Sequence, residues 1–266
     1  MPERGERMKG LVIKDIMCLK KQLTTFAFVI AGVVIVSVMY VLSTRFGNLA
    51  KVGVALLDEN NNMSEIDVKN LGSMALVLFM FLPIVSVGDM INVFMADGKA
   101  GFVKVSASFP VPLKNRLLAR FITIFSLLGI GALADILLAG MLCMLTDIMS
   151  FGEFFGVIIS VSSLMCIYSA LVILFCIMLG YGKEQYAQCF SLLSMAAAFI
   201  IVRFKDLKSV FIRIFIEEHG FDSDTFWRPL DFFKEKGYVF FFIAVFVMIL
   251  SYMISLNIAE RKRGVI

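Results

Sequence analysis

Residues 117–145 read LLARFITIFSLLGIGALADILLAGMLCML, and their only charged side chains are Arg120 near the start and Asp135 in the later part. A helix needs about 20 predominantly apolar residues to cross the hydrocarbon core of a bilayer. This stretch is longer, so it predicts a membrane span that tilts, or that kinks near Gly129 and Gly131. Working outward, the same reading predicts spans over residues 71–96 and 23–43 on the amino-terminal side. On the other side it predicts spans over 154–179, 186–202 and 238–256, the fifth being near the lower length limit. The composition agrees. The chain of 266 residues is 60% hydrophobic and 17% charged, with a mean hydropathy of +0.90, whereas an average soluble domain is about 25% charged. The expected fold is all-α: a single transmembrane domain over 1–266, with six spans.

Orientation follows from lysine and arginine, which accumulate in cytoplasmic loops. With both termini cytoplasmic, the inner side holds Arg4, Arg7, Lys9, Lys14, Lys20, Lys21, Lys99, Lys104, Lys114, Arg116, Arg120, Lys183, Arg261, Lys262 and Arg263, fifteen of the 25 basic residues. The outer side has most of the acids, including Asp58, Glu59, Glu217, Glu218, Asp222 and Asp224. Ends-in is therefore the expected topology. The opening residues are polar and lack the short apolar core of a cleavable signal peptide; Met8 is an alternative start.

Residues 9–22 place Val12, Ile16, Leu19 and Leu23 on one helical stripe, with Lys14, Lys20 and Lys21 off it. That pattern predicts an amphipathic helix in the inner interface, with Lys14, Asp15, Ile16 and Leu19 as its characteristic residues; a merely basic flank is the simpler alternative. Across the membrane, the polar stretch 203–237 alternates charges with Val210, Phe211, Ile214, Phe215, Phe226, Trp227, Phe232 and Phe233. One or two short helices resting on the outer leaflet are expected there, with Trp227 at headgroup level.

Enzymatic machinery is hard to assemble from these residues. His219 is the single histidine, which disfavours H-E-x-x-H metal sites and histidine-paired triads. Its neighbours Glu217 and Glu218 read as a solvated surface, and no metal site is expected. Gly98-Lys99-Ala100 and Gly182-Lys183-Glu184 lack the Ser or Thr of a P-loop. The five cysteines, Cys18, Cys143, Cys166, Cys176 and Cys189, are scattered singly and read as small hydrophobes. Two carboxylates in or near spans, Asp89 and Asp135, need explanation because an ionisable group in hydrocarbon is costly. Asp135 is either part of a translocation surface or gate, or a structural group that is protonated or hydrogen-bonded to a nearby hydroxyl. Small residues, Gly152 and Gly156 at the start of the fourth span and Ser194, Ala196, Ala197 and Ala198 in the fifth, are candidate sites of close helix approach.

The loop over 97–116 carries the most specific pattern. A short helix starting at Asp97, whose carboxylate suits a helix amino terminus, would expose Lys99, Phe102 and Lys104 to the cytosol. An aromatic knob between cations fits docking to a soluble partner. An ordinary basic loop explains the lysines but leaves Phe102 without a reason.

The run Asp97-x-Lys99-x-Gly101-Phe102-x-Lys104, followed by Ser108, Pro110 and Val111 and then Lys114 and Arg116, resembles small bacterial ABC transporter permeases of the ABC-2 (type V exporter) class. So do the opening Lys9-Gly10-Leu11-Val12-Ile13-Lys14-Asp15 and the closing Ser251-Tyr252-Met253-Ile254-Ser255, with its basic tail Arg261-Lys262-Arg263. Within that class the chain is most similar to the membrane subunits of exporters for phenol-soluble modulins, which are amphipathic cytolytic peptides. The resemblance implies a permease in the bacterial cytoplasmic membrane, with a second copy of itself or a paralogous permease completing the pathway. It also implies that Asp97, Lys99, Phe102 and Lys104 form a coupling helix seated in a cytoplasmic ABC ATPase subunit. ATP and Mg would bind that subunit, and this chain would hold no cofactor, bind no nucleic acid and catalyse nothing itself. The implied cargo is a toxic or antimicrobial peptide. Other readings are a lipid or small-drug exporter, a non-transporting peptide sensor or immunity protein, and a polytopic membrane enzyme.

Overall fold

The computed structural model describes residues 4–46, 81–86, 112–145, 150–180, 183–216 and 236–263, and every regular element among them is a helix. In chain order these are α1 (Arg4–Cys18), α2 (Lys20–Phe46), α3 (Leu82–Ser86), α4 (Leu113–Leu145), α5 (Phe151–Leu179), α6 (Glu184–Ile216) and α7 (Gly237–Arg263). Four stretches among the described residues are long and apolar enough to cross a membrane: Lys20–Leu42, Leu113–Met144, Phe151–Leu179 and Gly237–Arg261. They correspond to the first, third, fourth and sixth spans read from the sequence, the first and third ending one residue earlier than expected. The chain therefore has the form of a membrane-embedded helical protein.

The long stretch that opened the sequence reading is one helix, uninterrupted through Gly129 and Gly131. Its core face follows a three-four spacing, with Leu117, Phe121, Ile124, Leu128, Gly131, Asp135, Leu138 and Leu142 all buried. On α2 the buried positions Phe26, Val33, Ser37 and Val41 form one narrow stripe, while Phe28, Ile35 and Met39 stay exposed. Such one-sided burial in an otherwise apolar helix fits lipid on the remaining faces. Of the expected second span, α3 alone falls among the described residues. Pro83 lies in its first turn, where a missing N–H costs little, and Ile84 is fully buried. The expected fifth span lies in α6, which continues to Ile216 into the stretch read as outer loop. The sequence between Val202 and Ile216 contains no Gly or Pro and keeps a helical alternation of apolar and charged residues, so nothing in it stops the helix.

At the centre is α5, packed against α4, α6 and α7. Ser150 and Glu153 begin it with a capping box: the Glu153 N–H donates to Ser150 Oγ (3.4 Å), and the Ser150 N–H donates to Glu153 Oε2 (2.8 Å). At its other end Gly180 adopts φ 85°, a left-handed conformation that favours glycine, and its N–H closes on the Cys176 carbonyl (3.0 Å). Ser150→Ala should lower the thermal midpoint of the detergent-solubilised protein by the equivalent of about 1 kcal/mol; an unchanged midpoint would mean that the box contributes nothing.

The bundle has two chemically different ends. The Phe121 ring meets Tyr252 edge-on at 5.5 Å, and Phe175 meets Phe190 at 6.0 Å. The start of α4, the end of α5, the start of α6 and the later part of α7 are thus gathered together, and α1 joins them by packing on α4. This end carries Lys14, Lys20, Lys21, Lys114, Arg116, Arg120, Lys183 and Arg261, and we call it the basic end.

Candidate functional site

In an apolar bundle, each hydroxyl needs a partner, and the preceding helical turn supplies the nearest carbonyl. Thr123 donates to the Ala119 carbonyl (3.0 Å), Ser160 to Gly156 (3.0 Å), Ser163 to Ile159 (2.6 Å) and Ser191 to Ala187 (2.8 Å). The buried hydroxyls of Ser37, Ser169 and Ser255 find no such partner among the described residues, and neither does the costlier carboxyl group of Asp135. Its side chain is fully buried on the core face of α4, and neither carboxylate oxygen makes a well-formed hydrogen bond to any described residue. The polar group acting on it is the backbone N–H of Ile84, in the first turn of α3. A buried carboxylate in an apolar bundle is an expensive arrangement for a purely structural role. The residue singled out from the sequence is thus at the junction of α3 and α4, about four helical turns from Arg120 and the basic end.

The closing Ser-Tyr-x-x-Ser pattern has a packing role that the sequence did not disclose. On α7, which packs chiefly on α5, the residues Gly237, Ala244, Ser251 and Ser255 are buried at intervals of seven, seven and four. Gly237 comes so close that a Cβ added there would lie 2.7 Å from the Gly156 carbonyl oxygen and 3.3 Å from Ser160 Oγ. Gly156 is therefore a point of close approach, as its position suggested. Its neighbour Gly152 has open space around it, and Ser194, Ala196, Ala197 and Ala198 are exposed. Tyr252, between the two serines, turns instead to Phe121 of α4.

At the basic end the sequence reading needs correction in one respect. The stripe Val12, Ile16, Leu19, Leu23 does not face one way, because the helix breaks at Leu19, between α1 and α2. Leu19 and Asp15 are the buried residues, while Ile16 is 42% exposed and turned out with Ile13 and Met17. Asp15 is held by Lys14, Nζ to Oδ1 2.9 Å. An acid so paired can face inward and leave the apolar side chains one turn apart to face out, which an apolar-stripe argument cannot anticipate.

Two residues that the sequence reading used only for orientation or overlooked also belong to this end. Arg120 on α4 and the buried Glu184, first residue of α6, both lie close enough to Cys176 on α5 to act on it electrostatically. They bring charges from α4 and α6 close to α5 where the basic end begins. The signal was present, since Arg120 is the one cation inside the 117–145 run and Glu184 the first acid after the fourth span. The four expected coupling residues, Asp97, Lys99, Phe102 and Lys104, lie outside the described residues, as do Asp89, His219 and Trp227. No protein-family model, curated protein or solved structure matches this chain.

Proposed function

We propose that the chain is the membrane subunit of an ATP-driven exporter of amphipathic peptides, crossing the cytoplasmic membrane six times with both termini inside. The observation that carries this reading is the run from Asp97 to Lys104: an aromatic residue among lysines, in a loop between two spans, in a chain with no nucleotide-binding motif of its own. Two copies form the pathway, and separate ATPase subunits seat Phe102 in a groove beneath it. Their closure moves the coupling helix and α1, and the spans rock between states open to opposite sides. Support comes from the collection of cations at the end where α1 packs on α4, which fits a cytoplasmic face. The carboxylate of Asp135, buried and with no well-formed hydrogen bond among the described residues, supports a polar surface or gate inside the bundle.

The test is Phe102→Asp in proteoliposomes containing the chain and its partner ATPase. A buried aromatic anchor replaced by a charge typically loses 2 kcal/mol or more, about thirty-fold in affinity. Peptide transport should fall at least that far, while the ATPase subunit retains its basal hydrolysis. Unchanged partner binding and transport would defeat the docking role.

A further inference from the structure

The α1–α2 elbow presents outward a face that the bundle does not use. Ile13 (53% exposed), Ile16 and Met17 (72%) stand at i, i+3 and i+4, and so form one apolar stripe. Cys18, Lys20 and Lys21 are exposed immediately beyond it. Asp15, the acid that would oppose these lysines, is buried and held by Lys14. The surroundings have the same sign. Among the described residues of the basic end, Lys20, Lys21, Lys114, Lys183 and Arg261 are exposed, and Glu260 is the single exposed acid. Leu19, 1% exposed, pins the elbow to the core, so the apolar stripe cannot fold inward without withdrawing that anchor.

We infer that this elbow is a binding surface for anionic phospholipid: Ile13, Ile16 and Met17 enter the acyl boundary, and Lys20 and Lys21 hold the headgroup phosphates. The apolar stripe alone would accept any lipid. The charge balance selects anionic ones, because a lysine at a membrane surface raises the local concentration of anionic lipid about five-fold. This surface deepens the proposed function, on whose placement of α1 at the cytoplasmic interface it rests.

Cys18 lies within the elbow and provides a probe position. In Cys189→Ser, Cys18 is the one exposed cysteine left. The full chain, labelled there with an environment-sensitive fluorophore, is placed in phosphatidylcholine nanodiscs containing a small fraction of spin-labelled phosphatidylglycerol or spin-labelled phosphatidylcholine. Phosphatidylglycerol should quench on the order of ten-fold more effectively. The preference should vanish in Lys20→Gln/Lys21→Gln, persist in Lys20→Arg/Lys21→Arg, and decline with added salt. Equal quenching by both lipids would overturn the selectivity, and absence of quenching by either would overturn the membrane contact itself. Neither ATP nor transport enters the measurement, so its outcome is separate from that of the Phe102 experiment.

Discussion

Gly237→Val should destabilise the protein more than any other single change on α7. A Cβ added at Gly237 lies 2.7 Å from the Gly156 carbonyl oxygen and so meets backbone, which cannot rotate away. Relief requires α7 to move off α5, and that motion also disturbs the packing around the buried Ala244, Ser251 and Ser255 of the same helix. Overpacking of this kind costs about 1–3 kcal/mol. In a membrane the loss is felt fully, since lipid offers no hydrophobic penalty for separation and close packing holds helices together. The thermal midpoint in detergent should fall by several degrees for Gly237→Ala and further for Gly237→Val. Tyr238→Ala, next along the chain but 62% exposed, should stay within about 0.5 kcal/mol of the parent. Equal stability of Gly237→Val and the parent would mean that α5 and α7 are not in contact there.

Asp135→Leu should have the opposite effect on stability while abolishing transport. A buried polar group whose hydrogen bonds are poorly met costs about 1–3 kcal/mol, and replacement by an apolar side chain of similar size removes that cost. Leucine at position 135 continues the stripe of Leu128, Leu138 and Leu142 on the core face of α4. The variant should therefore melt at or above the parent temperature. If the carboxylate serves as a gate or pathway group, the same variant transports nothing. Asp135→Asn separates shape from charge, and full transport by a normally folded Asn variant would remove Asp135 from the mechanism. A marked loss of stability in Asp135→Leu would show that the carboxylate has structural partners after all.

These two residues mark the boundary of what sequence alone could reveal. Uninterrupted apolar runs such as 117–145 announce their helices, because only a helix satisfies its own backbone in hydrocarbon. Asp135 was conspicuous for the same reason, as a charge where charge is costly. Gly237 was not, since its significance lies in a distance to Gly156, eighty-one positions earlier in the chain, and no local pattern encodes that proximity. Ser251 and Ser255 stand out in the sequence as a motif, yet their burial is legible only in three dimensions. The inward turn of Asp15 was hidden because apolar periodicity assigns acids to the solvent face by default. Arg120 and Glu184 were read for orientation or passed over, while their convergence near Cys176 depends on how α4, α5 and α6 meet.

The most direct experiment is ATP hydrolysis and peptide flux measured together, with the purified chain reconstituted in vesicles alone and then with the proposed partner ATPase. The chain alone should hydrolyse no ATP and move no peptide; with the partner, amphipathic peptide should accumulate across the membrane only when ATP is supplied. Nucleotide hydrolysis by the isolated chain, or a complete complex that hydrolyses ATP and moves no peptide, would contradict the assignment of a peptide-exporting subunit driven by a separate engine.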